Sequence, residues 1–365
     1  MKCLTIVGAR PQFIKASALS KKLSSNPQIQ EVLLHTGQHY DVGMSEIFFA
    51  ELGIRRPDYN LGVGSGSHGL QTGKMLMGIE AVLQNEKPDW VIVYGDTNST
   101  LAGALAAAKL HIPIAHVEAG LRSWNRKMPE EINRVLTDHT ADILFAPTKL
   151  AVDNLVNEGI DPVKIFLVGD VMYDVALQFA DKAEQNSQIL DKLNIGPKSF
   201  ILATIHRAEN TDNRQRLEAI FRTLILVSKD IPIVLPLHPR TRNALEAMGL
   251  LNEVSKALSI TEPVGYLDMV ALEKNARLIL TDSGGIQKEA FFYRVPCGIL
   301  REETEWQELV DLGCNRLISL SDVEAIQTDI LQHLEGNISQ LSGSDIYGDG
   351  HSSDKILDIL LHAGQ

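Results

Sequence analysis

The chain of 365 residues is too long for one ordinary hydrophobic core and suits two domains. Its 44% hydrophobic and 22% charged residues give a normal globular balance, which excludes a disordered or fibrous class. Thirty-four basic against 46 acidic side chains leave a formal charge of −12, which repels phosphate backbones over long range and argues against a nucleic-acid partner.

The predicted elements alternate short apolar runs with helix-length amphipathic segments. Leu4–Val7 is the first strand, followed by the turn Gly8-Ala9-Arg10-Pro11 and a helix to Leu23. Glu31–Leu34, Trp90–Tyr94, Ile114–Val117 and Ile143–Ala146 follow as strands, with a small-residue helix over Ser99–Leu110. The rhythm restarts near Ser199 with strands at Phe200–Thr204, Ile231–Leu237, Arg277–Thr281 and Cys297–Leu300. Apolar runs buried on both faces and alternating with helices predict parallel sheets. The chain therefore reads as α/β, with two units joined near Gly169 to Ala183. A polar loop from Ser342 to Gly350 precedes a last amphipathic helix from about Ser352 to Leu361.

Cys3, Cys297 and Cys314 fit neither a zinc site nor a disulfide framework and read as buried reduced thiols. The N-terminal apolar run is too short for a signal peptide, and no stretch approaches the roughly 20 apolar residues that cross a bilayer. A cytoplasmic protein without a membrane partner is expected.

Four turns carry candidate chemistry. Asp282-Ser283-Gly284-Gly285 follows a strand and opens a helix, so its free N–H groups and dipole end suit a phosphate, with the Ser283 hydroxyl as a further donor. Glu289, one to two turns on, stands where a carboxylate takes both hydroxyls of a ribose. An ordinary strand-to-helix turn with a solvated Glu is the plain alternative. Arg10 ends the first strand and Lys15 lies one turn further, where open α/β sheets bind ligands. His206-Arg207-Ala208-Glu209 and His238-Pro239-Arg240 each follow a strand, although turns favour small polar residues. Asp96 and Glu118 end adjacent strands, and Glu130 and Glu131 open the helix that continues to Arg134. Carboxylates at a helix start can be simple dipole partners, but several of them with a His around one pocket supply acid and base for proton transfer. No tight D-x-D pair is present, so no metal is expected.

Together these stretches resemble the non-hydrolysing UDP-N-acetylglucosamine 2-epimerases. The resemblance runs in order through Gly8–Lys15, Gly95-Asp96-Thr97, His116–Arg122, Pro129–Arg134, His206–Asn210, Thr281–Glu289 and Tyr347–Gly350. It implies the GT-B fold: two facing Rossmann-like domains with a ligand cleft between them. The domains would be 1–170 plus 351–365, the final helix crossing back, and 171–350. It further implies a homodimer that uses neither metal nor nicotinamide, so no cofactor. UDP would leave carbon 1 as a base takes the carbon 2 proton, giving a 2-acetamidoglucal, and UDP would then re-add as a proton arrives on the other face. By motif, Asp96, Glu118, Glu130 and His206 look like the acid/base and transition-state group. Arg10, Lys15, Arg134, Arg207, His238, Ser283, Gly284 and Gly285 look like the substrate cradle, with Glu289 the ribose partner.

The sequence departs from the better-known members at Gln12, where they carry Arg-Pro-Glu, and at Glu305-Trp306-Gln307, where they carry Glu-Arg-Pro. With Gln287-Lys288-Glu289, these variants look more like relatives that epimerise UDP-2,3-diacetamido-2,3-dideoxyglucuronic acid. A uronate would need a cation near carbon 6, for which Arg122, Arg126 and Lys127 are candidates. The alternatives are a hydrolysing epimerase releasing UDP and ManNAc, a GT-B glycosyltransferase, and a non-catalytic UDP-sugar sensor. Gln38-His39-Tyr40 reads first as a simple loop, with an allosteric site as the alternative.

Overall fold

The structure is a computed structural model that describes residues 1–38, 55–335 and 346–363. His39, Tyr40 and residues 342–345 of the Ser342–Gly350 loop lie outside the described residues. The chain divides into two compact units, Met1–Val175 with Asp345–Gln365, and Ala176–Ser344.

The first unit holds a seven-stranded parallel sheet in the order β3-β2-β1-β4-β5-β6-β7. Its strands are β1 (Lys2–Val7), β2 (Gln30–His35), β3 (Tyr59–Asn60), β4 (Trp90–Tyr94), β5 (Ile114–Val117), β6 (Ile143–Ala146) and β7 (Ile165–Leu167). The second unit holds a six-stranded parallel sheet in the order β10-β9-β8-β11-β12-β13. Here the strands are β8 (Ile201–Thr204), β9 (Ile233–Pro236), β10 (Ser259–Thr261), β11 (Leu278–Thr281), β12 (Cys297–Ile299) and β13 (Asn315–Leu317). This is the α/β class of two Rossmann-like sheets that the sequence predicts. In each sheet the strand order reverses between two central neighbours, β1 with β4 and β8 with β11. The loops leaving those strands at their carboxyl ends part in opposite directions, and ligands bind in the crevice that this creates.

Burial explains which strands form the centre. β4, β5, β6, β8, β9 and β11 are buried at every residue. Leu4, Ile6, Val91 and Val93 pack with Met75, Ile79 and Ala102–Ala107 helix residues in one core, and Ile201, Ala203, Leu278 and Leu280 with Leu217, Phe221 and Leu224 in the other. The final helix, Ser352–Ala363, belongs to the first unit. Asp174 accepts the Ser352 and Ser353 backbone N–H groups at its start (3.0 and 2.7 Å), and Lys22 pairs with Asp354 at 2.6 Å. No helix among the described residues is long and apolar enough to cross a membrane. Cys3, Cys297 and Cys314 are free and buried, and burial pushes the Cys3 thiol up to about 12.

His35 ends β2 in the core, 3% exposed, edge-on to Phe13 at 4.9 Å between ring centroids. Burial lowers its imidazole from 6.5 to about 4. Between those values the unfolded chain binds a proton that the folded chain refuses, so stability falls as pH drops from 6.5 towards 4. The expected loss from this group is on the order of 1–3 kcal/mol. Denaturant unfolding of the parent and His35→Gln at pH 7 and pH 4.5 checks it: the variant should show the smaller difference.

Candidate active site

In the first unit, helix Arg10–Ser25 starts directly after β1, with Ala9 as its N-cap and Pro11 in its first turn. Gln12 fixes that turn. Its Oε1 accepts the Gly8 and Ala9 N–H groups (2.8 and 3.1 Å), while its Nε2 donates to Tyr94 O (2.8 Å) and Thr100 Oγ1 (2.9 Å). A Glu here would carry no N–H for the Tyr94 carbonyl. Arg10 is the first residue of the helix, and one turn on Lys15 Nζ pairs with Glu118 Oε2.

Glu118 leaves the end of β5 with a positive φ of 71°, rare for a residue with a side chain and a form of backbone strain that gathers at functional sites. Asp96 leaves the end of β4 half-buried, and Arg134 Nη2 donates to its Oδ2. Asn133 Nδ2 holds the Asp96 carbonyl at 2.9 Å. Glu130 is exposed at the start of helix Pro129–Thr140. The structure thus joins Lys15 to Glu118 and Arg134 to Asp96, and among the described residues it gives Glu130 no such cation.

Its neighbour Glu131, expected from the sequence only as one of two carboxylates at the helix start, does more than meet the helix dipole. Buried, it accepts from Ser123 N, Ser123 Oγ, Trp124 N and Arg134 Nη1, all at 3.0 Å. It ties the 123–124 loop to the arginine that holds Asp96. Only its place one residue from Glu130 and three from Arg134 signals this.

Arg122 is not available to read a substrate carboxylate. Its guanidinium is buried, donates to Asp138 Oδ2 at 2.7 Å and grips both oxygens of Glu158 at 2.6 Å. Freeing one partner of such a buried pair costs about 3–5 kcal/mol. Arg126 and Lys127 are exposed.

In the second unit the same logic repeats at β8 and β11. Asp282, fully buried after β11, accepts the backbone N–H groups of His206 (3.0 Å) and Arg207 (2.9 Å) and the Asn210 amide (3.0 Å). It thereby fixes the His206-Arg207 turn that follows β8, and was missed because its work is backbone capping. The His206 and His238 rings lie 5.4 Å apart, the latter exposed as the N-cap of helix Pro239–Met248. Partial desolvation of the exposed ring, with His206 and Arg240 nearby, lowers the His238 imidazole.

Ser283 is the N-cap of helix Gly284–Phe292 and its hydroxyl makes no cap hydrogen bond, so it does not occupy the N–H groups that a helix start leaves without intrahelical partners. A Cβ on Gly284 would lie 2.2 Å from Glu305 Oε1, so a side chain there would displace the Glu305 carboxylate. Burial alone would raise the Glu305 carboxyl, but Arg301, at 2.7 Å, and Arg207, at 3.9 Å, hold it below its ordinary value. Gly285 is exposed and Glu289 is buried, with Tyr266 Oη donating to its Oε1 at 3.3 Å. Two of the sequence departures meet here: Lys288 Nζ lies 4.2 Å over the Trp306 ring, and Trp306 Nε1 donates to Gly284 O at 3.0 Å.

A family model described as UDP-N-acetylglucosamine 2-epimerase matches residues 21–361. The chain is 52% identical to the UDP-2,3-diacetamido-2,3-dideoxy-D-glucuronate 2-epimerase of Pseudomonas aeruginosa, over 99% of each chain. It is 54% identical to a UDP-N-acetylglucosamine 2-epimerase homolog of Methanococcus maripaludis, again over 99% of each. The crystal structure of Methanocaldococcus jannaschii UDP-GlcNAc 2-epimerase in complex with UDP-GlcNAc and UDP superposes with a TM-score of 0.90 at 46% identity, covering 99% of this chain and 100% of that one. The strand-end carboxylates and the glycine turn therefore stand in a chain that belongs to the UDP-N-acetylglucosamine 2-epimerase family.

Proposed function

We propose that the protein is an isomerase that inverts carbon 2 of a UDP-2-acetamido sugar, interconverting UDP-GlcNAc and UDP-ManNAc, by eliminating UDP to a 2-acetamidoglucal and adding it back. The observation that carries this reading is the pairing at adjacent strand ends of Glu118 with Lys15 and of Asp96 with Arg134. Removing the carbon 2 proton needs a placed base, and returning it to the other face needs a placed acid. Asp96, Glu118 and Glu130 are assigned those tasks. Expulsion of UDP develops negative charge on the diphosphate, which preorganised donors stabilise. Ser283, Gly284, Gly285, His206, Arg207 and His238 are assigned to it in the second unit, Arg10 and Lys15 in the first, and Glu289 to the ribose.

A second reading keeps the reaction and changes the sugar to UDP-2,3-diacetamido-2,3-dideoxyglucuronate. Its support is the 52% identity to the Pseudomonas aeruginosa enzyme of that name and the exposure of Arg126 and Lys127. We further propose a homodimer, supported by the exposed Leu70 and Met77 of helix His68–Glu86 and Ile132 and Leu136 of helix Pro129–Thr140.

Turnover in D₂O should place deuterium at carbon 2 of the product, and Asp96→Asn or Glu118→Gln should lower kcat by about 10²–10⁴-fold. NMR of product formed from a UDP-sugar checks both and separates the rivals: free sugar marks a hydrolysing epimerase, and no change marks a sensor. Near-normal kcat in the amide variants would withdraw the acid/base assignment.

Glu289→Ala should weaken UDP binding by about 1–3 kcal/mol, read by calorimetry. Because the candidate carboxylates Asp96 and Glu118 are matched to cations and not to a metal, dialysis against EDTA should leave turnover unchanged. If the sugar is a uronate, Arg126→Ala or Lys127→Ala should raise KM for that substrate and spare UDP-GlcNAc.

A further inference from the structure

A buried chain of polar groups runs from the surface of the first unit to the peptide that carries Asp96. Glu158 holds Arg122 through two contacts of 2.6 Å, and Arg122 donates to Asp138 Oδ2 at 2.7 Å. Asp138 Oδ2 also accepts the Gly120 N–H at 3.1 Å, while its Oδ1 lies 2.6 Å from His116 Nδ1. The other ring nitrogen, Nε2, lies 2.8 Å from Gly95 O. His116 and Asp138 side chains are both fully buried. A carbonyl oxygen only accepts, so Nε2 is the donor at that end.

The place where this chain stops is what gives it meaning. Gly95 O belongs to the peptide that leads into Asp96. Gly95 itself has φ +60°, and a Cβ there would stand 3.1 Å from Lys15 Nζ and 3.2 Å from Glu118 Oε2. The turn has no side chain to hold it against those groups, and its own N–H is spent on Val117 O at 3.0 Å. Asp96 is then fixed at three points: His116 on the preceding carbonyl, Asn133 on its own carbonyl, and Arg134 on its carboxylate. Removing one of three lets the peptide plane rotate and swings the carboxylate. Misplacement by about 1 Å can cost about 10²-fold in rate.

We propose that His116, oriented by Asp138, is a positioning residue that sets the Gly95–Asp96 peptide and so aims the Asp96 carboxylate at the substrate. This rests on the reading of Asp96 as an acid or base. It also explains why a His stands at a fully buried strand position next to Val117.

Two substitutions separate this role from simple core packing. Along the ring, an Asn amide reaches the place of Nδ1 and a Gln amide the place of Nε2. His116→Gln therefore keeps a donor on Gly95 O and gives up Asp138, whereas His116→Asn keeps Asp138 and gives up Gly95 O. The expected result is that His116→Gln holds kcat within about threefold of the parent, while His116→Asn loses about tenfold or more, at unchanged KM and UDP affinity. Loss of carbon 2 deuterium exchange should follow kcat. Equal losses in the two variants, or normal turnover by His116→Asn, would overturn the proposal, because packing alone would not tell the two amides apart. If neither variant folds, the parent still decides: ¹⁵N-histidine NMR should show a ring Nε2–H protected from exchange and in Overhauser contact with the Gly95 α-protons, and its absence would refute the bond. Asp96→Asn is run in the same assays. Full turnover by that variant would withdraw the role of Asp96 instead, while a loss there without a split between the His116 variants would remove only the positioning role.

Discussion

Everything in this molecule that faces chemistry depends on one constraint: a parallel strand buried on both faces can place polar groups only where it ends. β4, β5, β8 and β11 offer no exposed residue along their length. The residues that follow them are Gly95-Asp96, Glu118, the His206-Arg207 turn and Asp282-Ser283-Gly284. Reversal of strand order at β1/β4 and β8/β11 then separates the covering loops and leaves those ends open. The same constraint sets what must support them. A polar group at the end of a buried strand needs its partners from neighbouring elements, and Asp138 and Glu131 of helix Pro129–Thr140 and Asp282 after β11 supply them by accepting backbone and side-chain donors.

The sequence carried the centre of each sheet and not its margins. The strands read from apolar runs are the central ones, within a residue or two of their observed ends. The four that escaped, β3, β7, β10 and β13, are the four sheet edges. They are two or three residues long and mostly half-exposed, as Tyr59–Asn60 and Ser259–Thr261 show, so no run of buried apolar residues marks them. The site divides in the same way. The residues proposed to meet the substrate stand in recognisable turns. Residues that hold those turns, such as Glu131 and Asp282, are single acids whose partners come from 75 residues away or from a loop, and no spacing encodes that.

The departures from the better-known members behave as a third kind of signal. Gln12 is buried under the first turn, Lys288 is buried over Trp306, and Trp306 donates to the Gly284 carbonyl. A lysine over an indole gains cation–π attraction in a buried site. These positions set how the two turns are packed. They bear on the choice of sugar only through that packing, whereas Arg126 and Lys127 are exposed cations that can meet a carboxylate directly.

A chain of net charge −12 that handles a diphosphate must solve its electrostatics locally. It does so by pairing: Lys15 with Glu118, Arg134 with Asp96 and Glu131, Arg301 and Arg207 with Glu305. Each pair leaves little net field at a distance, and each orients a group that would otherwise sample several rotamers. In the proposed reaction the three candidate carboxylates then differ in freedom. Glu118 is buried in a strained backbone and Asp96 is held at three points, while Glu130 stands exposed on a helix start. Inversion at carbon 2 asks for a proton to leave one face and arrive at the other after UDP has gone. Two fixed groups and one that can swing meet that demand better than three fixed ones, because the glycal flattens carbon 2 and moves the face that must be reached.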